Sequence, residues 1–82
     1  MLSSDDLKNS IQEMIKTDTV LIESDGSHFL LTIVSDEFEG LSKIKRQQKV
    51  YACLNEYISN GSMHAVSMKT YTPVEWSDQE RL

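Results

Sequence analysis

At 82 residues the chain is long enough for one domain with a single thin core. Its apolar content of 39% and charged content of 26% are ordinary for a globular protein and argue against global disorder. The net charge of −5 disfavours nucleic-acid binding, which draws most of its affinity from cationic side chains. The single cysteine, Cys53, cannot form an intramolecular disulfide, so the fold does not require an oxidising compartment.

The N-terminal segment is acidic and polar, and it lacks the basic and apolar parts of a signal peptide. Apolar runs long enough to span a bilayer are also missing from the sequence. We therefore expect a cytoplasmic protein with no membrane partner. No repeat or linker interrupts the chain, which predicts a single domain over residues 1–82, with its core at about residues 4–76 and a polar, frayed tail at 77–82.

Helical periodicity opens the chain. Residues Ser4 to Lys16 are predicted as a first helix, and Ser3 with Asp6 forms a capping pattern at its start. Its apolar residues recur at i, i+4, i+7 and i+8, which predicts one buried stripe of Leu7, Ile11, Met14 and Ile15.

A hairpin follows. Thr19 to Ser24 is β-branched and apolar, and His28 to Ser35 is almost continuously apolar, so both are predicted strands and the second is expected in the middle of a sheet. Asp25-Gly26-Ser27 between them is a turn signal, because glycine tolerates the positive φ of tight hairpins.

The second half of the chain begins with a predicted loop, Asp36 to Leu41, that carries Phe38. Ser42 is a good N-cap for a second helix that runs to about Asn60, with Gly61 just beyond its end. The expected buried stripe of this helix consists of Ile44, Val50, Tyr51, Leu54, Tyr57 and Ile58.

Met63 to Thr70 alternates as a third strand. Thr72-Pro73-Val74-Glu75 then supplies an N-cap, a proline at the first helical position and a glutamate at the third, which predicts a short final helix. Trp76 in that helix is expected to pack back on the body of the protein.

The predicted element order, α-β-β-α-β-α, indicates an α/β (α+β) fold with a three-stranded mixed sheet. The second strand, second helix and third strand form a βαβ unit, whose right-handed crossover makes the two strands parallel. His28 opens one of these strands and His64 lies near the start of the other. The two histidines are therefore expected as neighbours at one edge of the sheet, roughly one or two strand spacings (about 5–10 Å) apart.

Two imidazoles supply half of a four-coordinate metal site. Nothing else nearby offers a third and fourth ligand, so a metal bound here would be shared with a partner. Cys53 lies on the flank of the second helix's apolar stripe and is interpreted as a buried structural thiol. No catalytic triad, phosphate-binding glycine loop or CxxC pair is present in the sequence, which argues against an enzyme.

One basic cluster stands out in an acidic chain. Lys43, Lys45, Arg46 and Lys49 lie within seven positions, and they favour either a solvated helix face or a contact with an acidic partner or a nucleic acid. The element order is similar to that of RNA-binding KH modules, but these need a GxxG loop to clamp phosphates. The matching residues here, 40–43, read GLSK and lack the second glycine.

Several segments together resemble the BolA-like protein family. They are SHF at Ser27 to Phe29, IVS at Ile33 to Ser35, FEGLS at Phe38 to Ser42, VY at residues 50–51 and MHAVSMKTYTPVEW at Met63 to Trp76. The resemblance covers nearly the whole chain. The combination of DGSHF with RQQKVY is most similar to the IbaG branch of the bacterial proteins.

The resemblance implies a KH-like (BolA-like) fold without the GxxG loop and a partnership with monothiol (CGFS) glutaredoxins through a bridging [2Fe-2S] cluster. The family's common histidine ligand corresponds to His64, and the second ligand, from the region between the first two strands, corresponds to His28. The glutaredoxin cysteine and a glutathione thiol would supply the remaining ligands. No cluster is expected in the isolated protein, which would be a monomer or weak homodimer.

The leading interpretation is thus an iron–sulfur assembly or trafficking adaptor. Its expected partner contacts are Phe38, Gly40, Lys43, Lys45, Arg46 and Lys49. The alternative is a DNA-binding transcriptional regulator that uses the KH-like face and the basic cluster. Many relatives carry RHR in the second helix, where this chain has Arg46-Gln47-Gln48, and the lower charge disfavours the regulator.

Overall fold

The structure, a computed structural model, describes residues 3–26 and 28–80. Ser27 of the predicted turn and residues 1–2 and 81–82 of the predicted domain lie outside the described residues. The elements follow the predicted order: α1 (Ser4–Met14), β1 (Thr19–Asp25), β2 (His28–Val34), a 3₁₀ turn (Asp36–Phe38), α2 (Lys43–Ser59), β3 (Ala65–Tyr71) and α3 (Pro73–Glu80).

Helix α1 is capped as the sequence predicts, because the Asp6 N–H donates to Ser3 Oγ at 3.0 Å. It ends at Met14, two residues before the predicted end, and Ile15 already has an extended backbone. This change of direction buries Ile15 and leaves Met14 58% exposed. The assignment of Met14 to the buried stripe is therefore wrong, since the helical period no longer applies where the helix stops.

The sheet has the order β1-β2-β3, so β2 is the central strand, as its apolar sequence predicts. β1 and β2 are antiparallel and are joined through Gly26, whose φ of 66° is accessible mainly to glycine. β2 and β3 are parallel, which confirms the predicted crossover through α2.

Side chains alternate across the two faces of this sheet. Phe29, Leu31 and Ile33 of β2 are buried and belong to the core formed with α1 and α2. Intervening β2 residues, among them His28 and Leu30, face away from the helices.

Helix α2 has the predicted caps, with the Lys45 N–H donating to Ser42 Oγ and Gly61 following at a φ of 82°. Its buried residues are Val50, Cys53 and Leu54. The prediction that Ile44, Tyr51 and Ile58 are also buried is wrong, since these three side chains are exposed.

Strand β3 begins at Ala65, two residues later than predicted, because Met63 is instead held in a buried turn by its N–H bond to the Tyr57 carbonyl. The cap of α3 is confirmed, and Trp76 packs on Tyr71 with ring centroids 5.2 Å apart. The helix continues to Glu80, so residues 77–80 of the expected frayed tail are helical.

Among the described residues, no helix combines the length and the apolar character needed to cross a membrane.

Candidate metal-ligand and partner site

The strand register places the two histidines side by side. His28 is the first residue of β2 and its partner on β3 is Ala65, the residue directly after His64. Parallel strands lie about 4.8 Å apart, so the two histidines occupy neighbouring positions at one end of the sheet. This confirms the adjacency predicted from the βαβ unit.

Both histidines are exposed. His28 lies on the face away from the helices, and His64 precedes the first residue of β3. Val66 packs against the core, on the helix side of the sheet. Residues two apart in an extended chain point to the same face, so an extended backbone at residue 64 would direct His64 to the helix side as well. A group that both imidazoles bind would therefore sit beyond the end of the sheet, where a partner can approach it.

The ligand set is incomplete within the described part of the chain. No three His, Cys, Asp or Glu side chains come together there in a way that could hold a metal ion. Two imidazoles are good donors for iron or zinc but leave two positions of a tetrahedral ion to be supplied from elsewhere. The donor chemistry therefore fits a site completed by another molecule.

Carboxylates flank His28, and the sequence interpretation missed them. Asp25 is the register partner of His28 across the hairpin, and Glu23 pairs with Leu30 two positions further along. They help to form a shallow depression of about 340 Å³ on the outer face, lined also by Leu30, Ala65 and Ser67. This placement could have been predicted from the sequence, because side chains alternate along β1 and the short turn sets which β1 residues lie opposite His28.

Two of the four cations of the basic cluster are neutralised by internal ion pairs. Arg46 donates two hydrogen bonds to the Glu75 carboxylate, at 2.7 and 3.2 Å, and a third to the Leu41 carbonyl. Lys49 lies 3.2 Å from the Glu37 carboxylate. Only Lys43 and Lys45 of the four cations have no ion pair with another described residue.

Two of the expected partner contacts lie between β2 and α2. Phe38 is 0% exposed and belongs to the core, so the prediction that its side chain contacts a partner is wrong. The 3₁₀ turn folds this aromatic ring inward beneath the sheet. Gly40 is exposed with a φ of 79° and has open space around its Cα, so it remains a candidate contact.

Cys53 is buried, as predicted, and its Sγ lies 3.7 Å from the Lys49 carbonyl. Burial raises the pKa of the Cys53 thiol, which disfavours the thiolate that binds metals. It lies on α2 within the core, away from the exposed histidines, and it is not a ligand candidate.

Comparisons with known proteins agree with this architecture. Residues 6–75 match the model of the BolA-like protein family. The acid stress protein IbaG of Escherichia coli K12 is 37% identical over 81 residues, which cover 99% of this chain and 96% of that protein. The DNA-binding transcriptional regulator BolA of Haemophilus influenzae is 43% identical over 53 residues, 65% of this chain and 50% of that protein.

The fold also matches solved structures. The crystal structure of a bol-like protein from Babesia bovis superposes with a TM-score of 0.87 at 27% identity, covering 99% of this chain and 96% of that one. These matches confirm the sequence-based resemblance to the BolA-like family and its IbaG branch.

Proposed function

The chain belongs to the BolA-like protein family, and from this we propose that it is an adaptor in iron–sulfur cluster assembly or trafficking. In this role it binds a monothiol glutaredoxin and shares a bridging [2Fe-2S] cluster with it. The protein acts as a binding partner and not as an enzyme.

The observation that carries the proposal is the pair of adjacent, exposed histidines, His28 and His64, at one end of the sheet. They form half of a ligand set, and among the described residues no group of three His, Cys, Asp or Glu side chains that could hold a metal ion is completed around them. The isolated protein is not expected to retain a metal or cluster at this half-site, since two monodentate ligands hold a metal weakly. It becomes complete when a partner supplies the missing donors.

The cluster is the cargo of this complex. His28 and His64 would supply two imidazole nitrogens, and the glutaredoxin cysteine with a glutathione thiol would supply two thiolates. Replacing two thiolates by two neutral imidazoles raises the reduction potential of a [2Fe-2S] centre. Mixed ligation thus makes the shared cluster spectroscopically and electrochemically distinct from an all-thiolate one.

The test is to mix the protein with a cluster-loaded monothiol glutaredoxin and glutathione and to record visible absorption and circular dichroism. We expect a heterocomplex spectrum that His64→Ala abolishes and that His28→Ala weakens less. Ser67→Ala, an exposed substitution on the same surface, serves as the control and should leave the spectrum intact. A heterocomplex spectrum that survives His64→Ala unchanged would contradict the assignment.

A second substitution tests the ligand type. His28→Cys should retain a cluster, because thiolate is a good iron ligand, but with a thiolate-like spectrum and a lower reduction potential than the wild-type complex. A His28→Cys heterocomplex with the same spectrum and reduction potential as the wild type would instead mean that residue 28 does not ligate the iron.

A DNA-binding regulator is the second candidate, and the relative from Haemophilus influenzae named as such is the observation that favours it. Lys43 and Lys45, which are exposed and form no ion pair with another described residue, would have to carry the phosphate contacts. Because Arg46 and Lys49 are already paired with glutamates, this surface is a weaker phosphate-binding site than the sequence suggests.

A further inference from the structure

Strand β3 has a neighbour on only one side within the described sheet. Successive peptide groups of a strand point alternately to its two sides. The Tyr71 carbonyl accepts a bond from the Ser35 N–H on the β2 side, so the peptide groups of Val66, Met68 and Thr70 point the other way. Their N–H and C=O groups form a row that is available for pairing with another strand.

An apolar stripe on α2 lies beside this row. Ile44, Tyr51 and Ile58 are spaced seven residues apart, which aligns them on one side of the helix. Their exposed fractions are 67%, 38% and 40%, although their neighbours Val50 and Leu54 are fully buried.

The contacts of α2 fix where this stripe faces. Tyr57 and Lys49 of α2 contact α1 and the 3₁₀ turn, through Ser10 and Glu37 respectively. At 100° per residue, the stripe is rotated by more than 90° around the helix axis from both Tyr57 and Lys49. It therefore lies on the flank of α2 that faces away from α1. Since α1 packs under β1 and α2 under β3, that flank extends beyond the outer edge of β3.

Together these groups form one surface, which we call the β3 edge surface: Ile44, Tyr51, Ile58, Val66 and Met68. The side chains of Val66 and Met68 are half-buried against the core and lie on the same side of the sheet as the α2 stripe. The surface thus combines unpaired backbone groups with an apolar wall, which is the arrangement that binds an added strand.

Positive charge borders this surface although the whole chain carries −5. Lys43 and Lys69 are exposed and have no ion pair with another described residue. Lys43 is the first residue of α2, where the helix dipole adds positive potential, and it lines a depression with Thr70 and Tyr71. An acidic occupant is therefore favoured at this end of β3.

We propose that the β3 edge surface binds an extended segment of a partner protein as a fourth strand. The segment carries apolar residues at alternate positions, which pack on the α2 stripe, and acidic residues between them, which lie on the same sheet face as Lys69. Lys43 adds positive potential at the end of the segment that lies beside Thr70 and Tyr71. The proposal goes beyond the iron–sulfur role and does not rest on it, because none of these residues is a candidate cluster ligand.

A second copy of this chain is a poorer occupant on charge grounds. Antiparallel pairing of two β3 strands about Met68 would place the two Lys69 side chains on a diagonal, about 7–8 Å apart on one face.

The test uses a short capped peptide in which valine alternates with glutamate and threonine. Titration into the ¹⁵N-labelled protein should shift the amides of Val66, Met68 and Thr70 and slow their hydrogen exchange. Tyr51→Glu and Ile58→Glu should each weaken binding by about tenfold or more. Met14→Glu, at an exposed apolar residue on α1 outside the β3 edge surface, is the control and should bind like the wild type.

Four further measurements test the mode of binding and the other possible occupants. A peptide N-methylated at its edge-facing amides should not bind, and one with lysine in place of glutamate should bind more weakly. Equal binding of either, or protection of β1 amides instead, would overturn the proposal. Sedimentation showing that the protein alone is a dimer and that Tyr51→Glu dissociates it would also overturn the proposal. Stronger protection of the same amides by a single-stranded oligonucleotide than by the peptide would do so too.

Discussion

Phe38 and Cys53 illustrate how far burial decides the role of single residues. The motif around Phe38 lies between two regular elements, which made an exposed contact plausible, yet the ring is completely enclosed by the core. Cys53 is likewise enclosed, and its raised pKa keeps the thiol protonated. Both residues belong to the core and are expected to act on stability, whereas His28 and His64 are exposed.

Phe38→Ala should therefore destabilise the protein strongly. Removing a fully buried aromatic ring typically costs about 3–5 kcal/mol, through lost transfer free energy and the cavity that remains. We expect the free energy of unfolding in urea to fall by that amount, or the variant not to fold. Val74→Ala, at a residue 68% exposed, is the control and should stay within about 0.5 kcal/mol of the wild type. If Phe38→Ala were as stable as the wild type but bound the partner more weakly, Phe38 would be a partner contact and not a core residue.

At the scale of elements, two glutamates connect segments that are distant in sequence. Glu75 accepts two hydrogen bonds from Arg46 of α2 and one from the Thr72 N–H, so it joins α2 to the start of α3. Glu37 accepts a bond from the Lys16 N–H and pairs with Lys49, so it joins the end of α1 to α2. These contacts add to apolar burial in connecting the elements.

Stability should depend on these carboxylates in acid. Hydrogen bonding by Arg46 lowers the pKa of Glu75, and the Lys16 N–H bond lowers the pKa of Glu37, both from an ordinary 4.5. A depressed pKa means that the folded state favours the ionised form, so the stabilisation is present above the unfolded pKa and is lost as pH falls through the folded one. The effect is modest because both groups are exposed to solvent.

Urea unfolding of the wild type and of the double variant Glu37→Gln/Glu75→Gln, repeated between neutral and acidic pH, measures this contribution. We expect the double variant to be less stable near neutrality and to lose less stability on acidification below pH 4.5. Glutamine keeps the acceptor oxygen for Thr72 and Lys16, so the comparison isolates the charge. Two parallel curves would mean that the ion pairs contribute nothing.

At the scale of the molecule, charge and its internal pairing oppose duplex binding. The net charge is −5, and two of the four clustered cations are already engaged by Glu37 and Glu75. Phosphate contacts would have to compete with these pairs and to overcome a long-range repulsion.

We therefore expect no sequence-specific binding of duplex DNA at physiological salt, as measured by fluorescence anisotropy over a salt titration. Any residual binding should weaken steeply with salt and be insensitive to sequence. Binding of the glutaredoxin-shared cluster, which rests on coordinate bonds, should depend on salt only weakly. Sub-micromolar, sequence-dependent binding at about 150 mM salt would favour the regulator instead.

Local chemistry determined much of this protein from the sequence alone. Ser3, Ser42 and Thr72 cap the three helices as predicted, and Gly26 forms the turn of the hairpin. These features depend on hydrogen bonds and backbone angles within a few residues of each other. Even the adjacency of His28 and His64 was predictable, because the handedness of a βαβ crossover fixes strand direction.

Only the tertiary structure decided which surfaces are covered. A periodic stripe on α2 cannot reveal where the sheet ends beneath it, so the exposure of Ile44, Tyr51 and Ile58 became apparent only with the strand order. The pairing of Arg46 with Glu75 joins residues 29 positions apart and leaves no mark in local sequence. Burial and long-range pairing depend on how the elements pack against each other. That packing is determined by many residues along the chain together, and not by any single local segment.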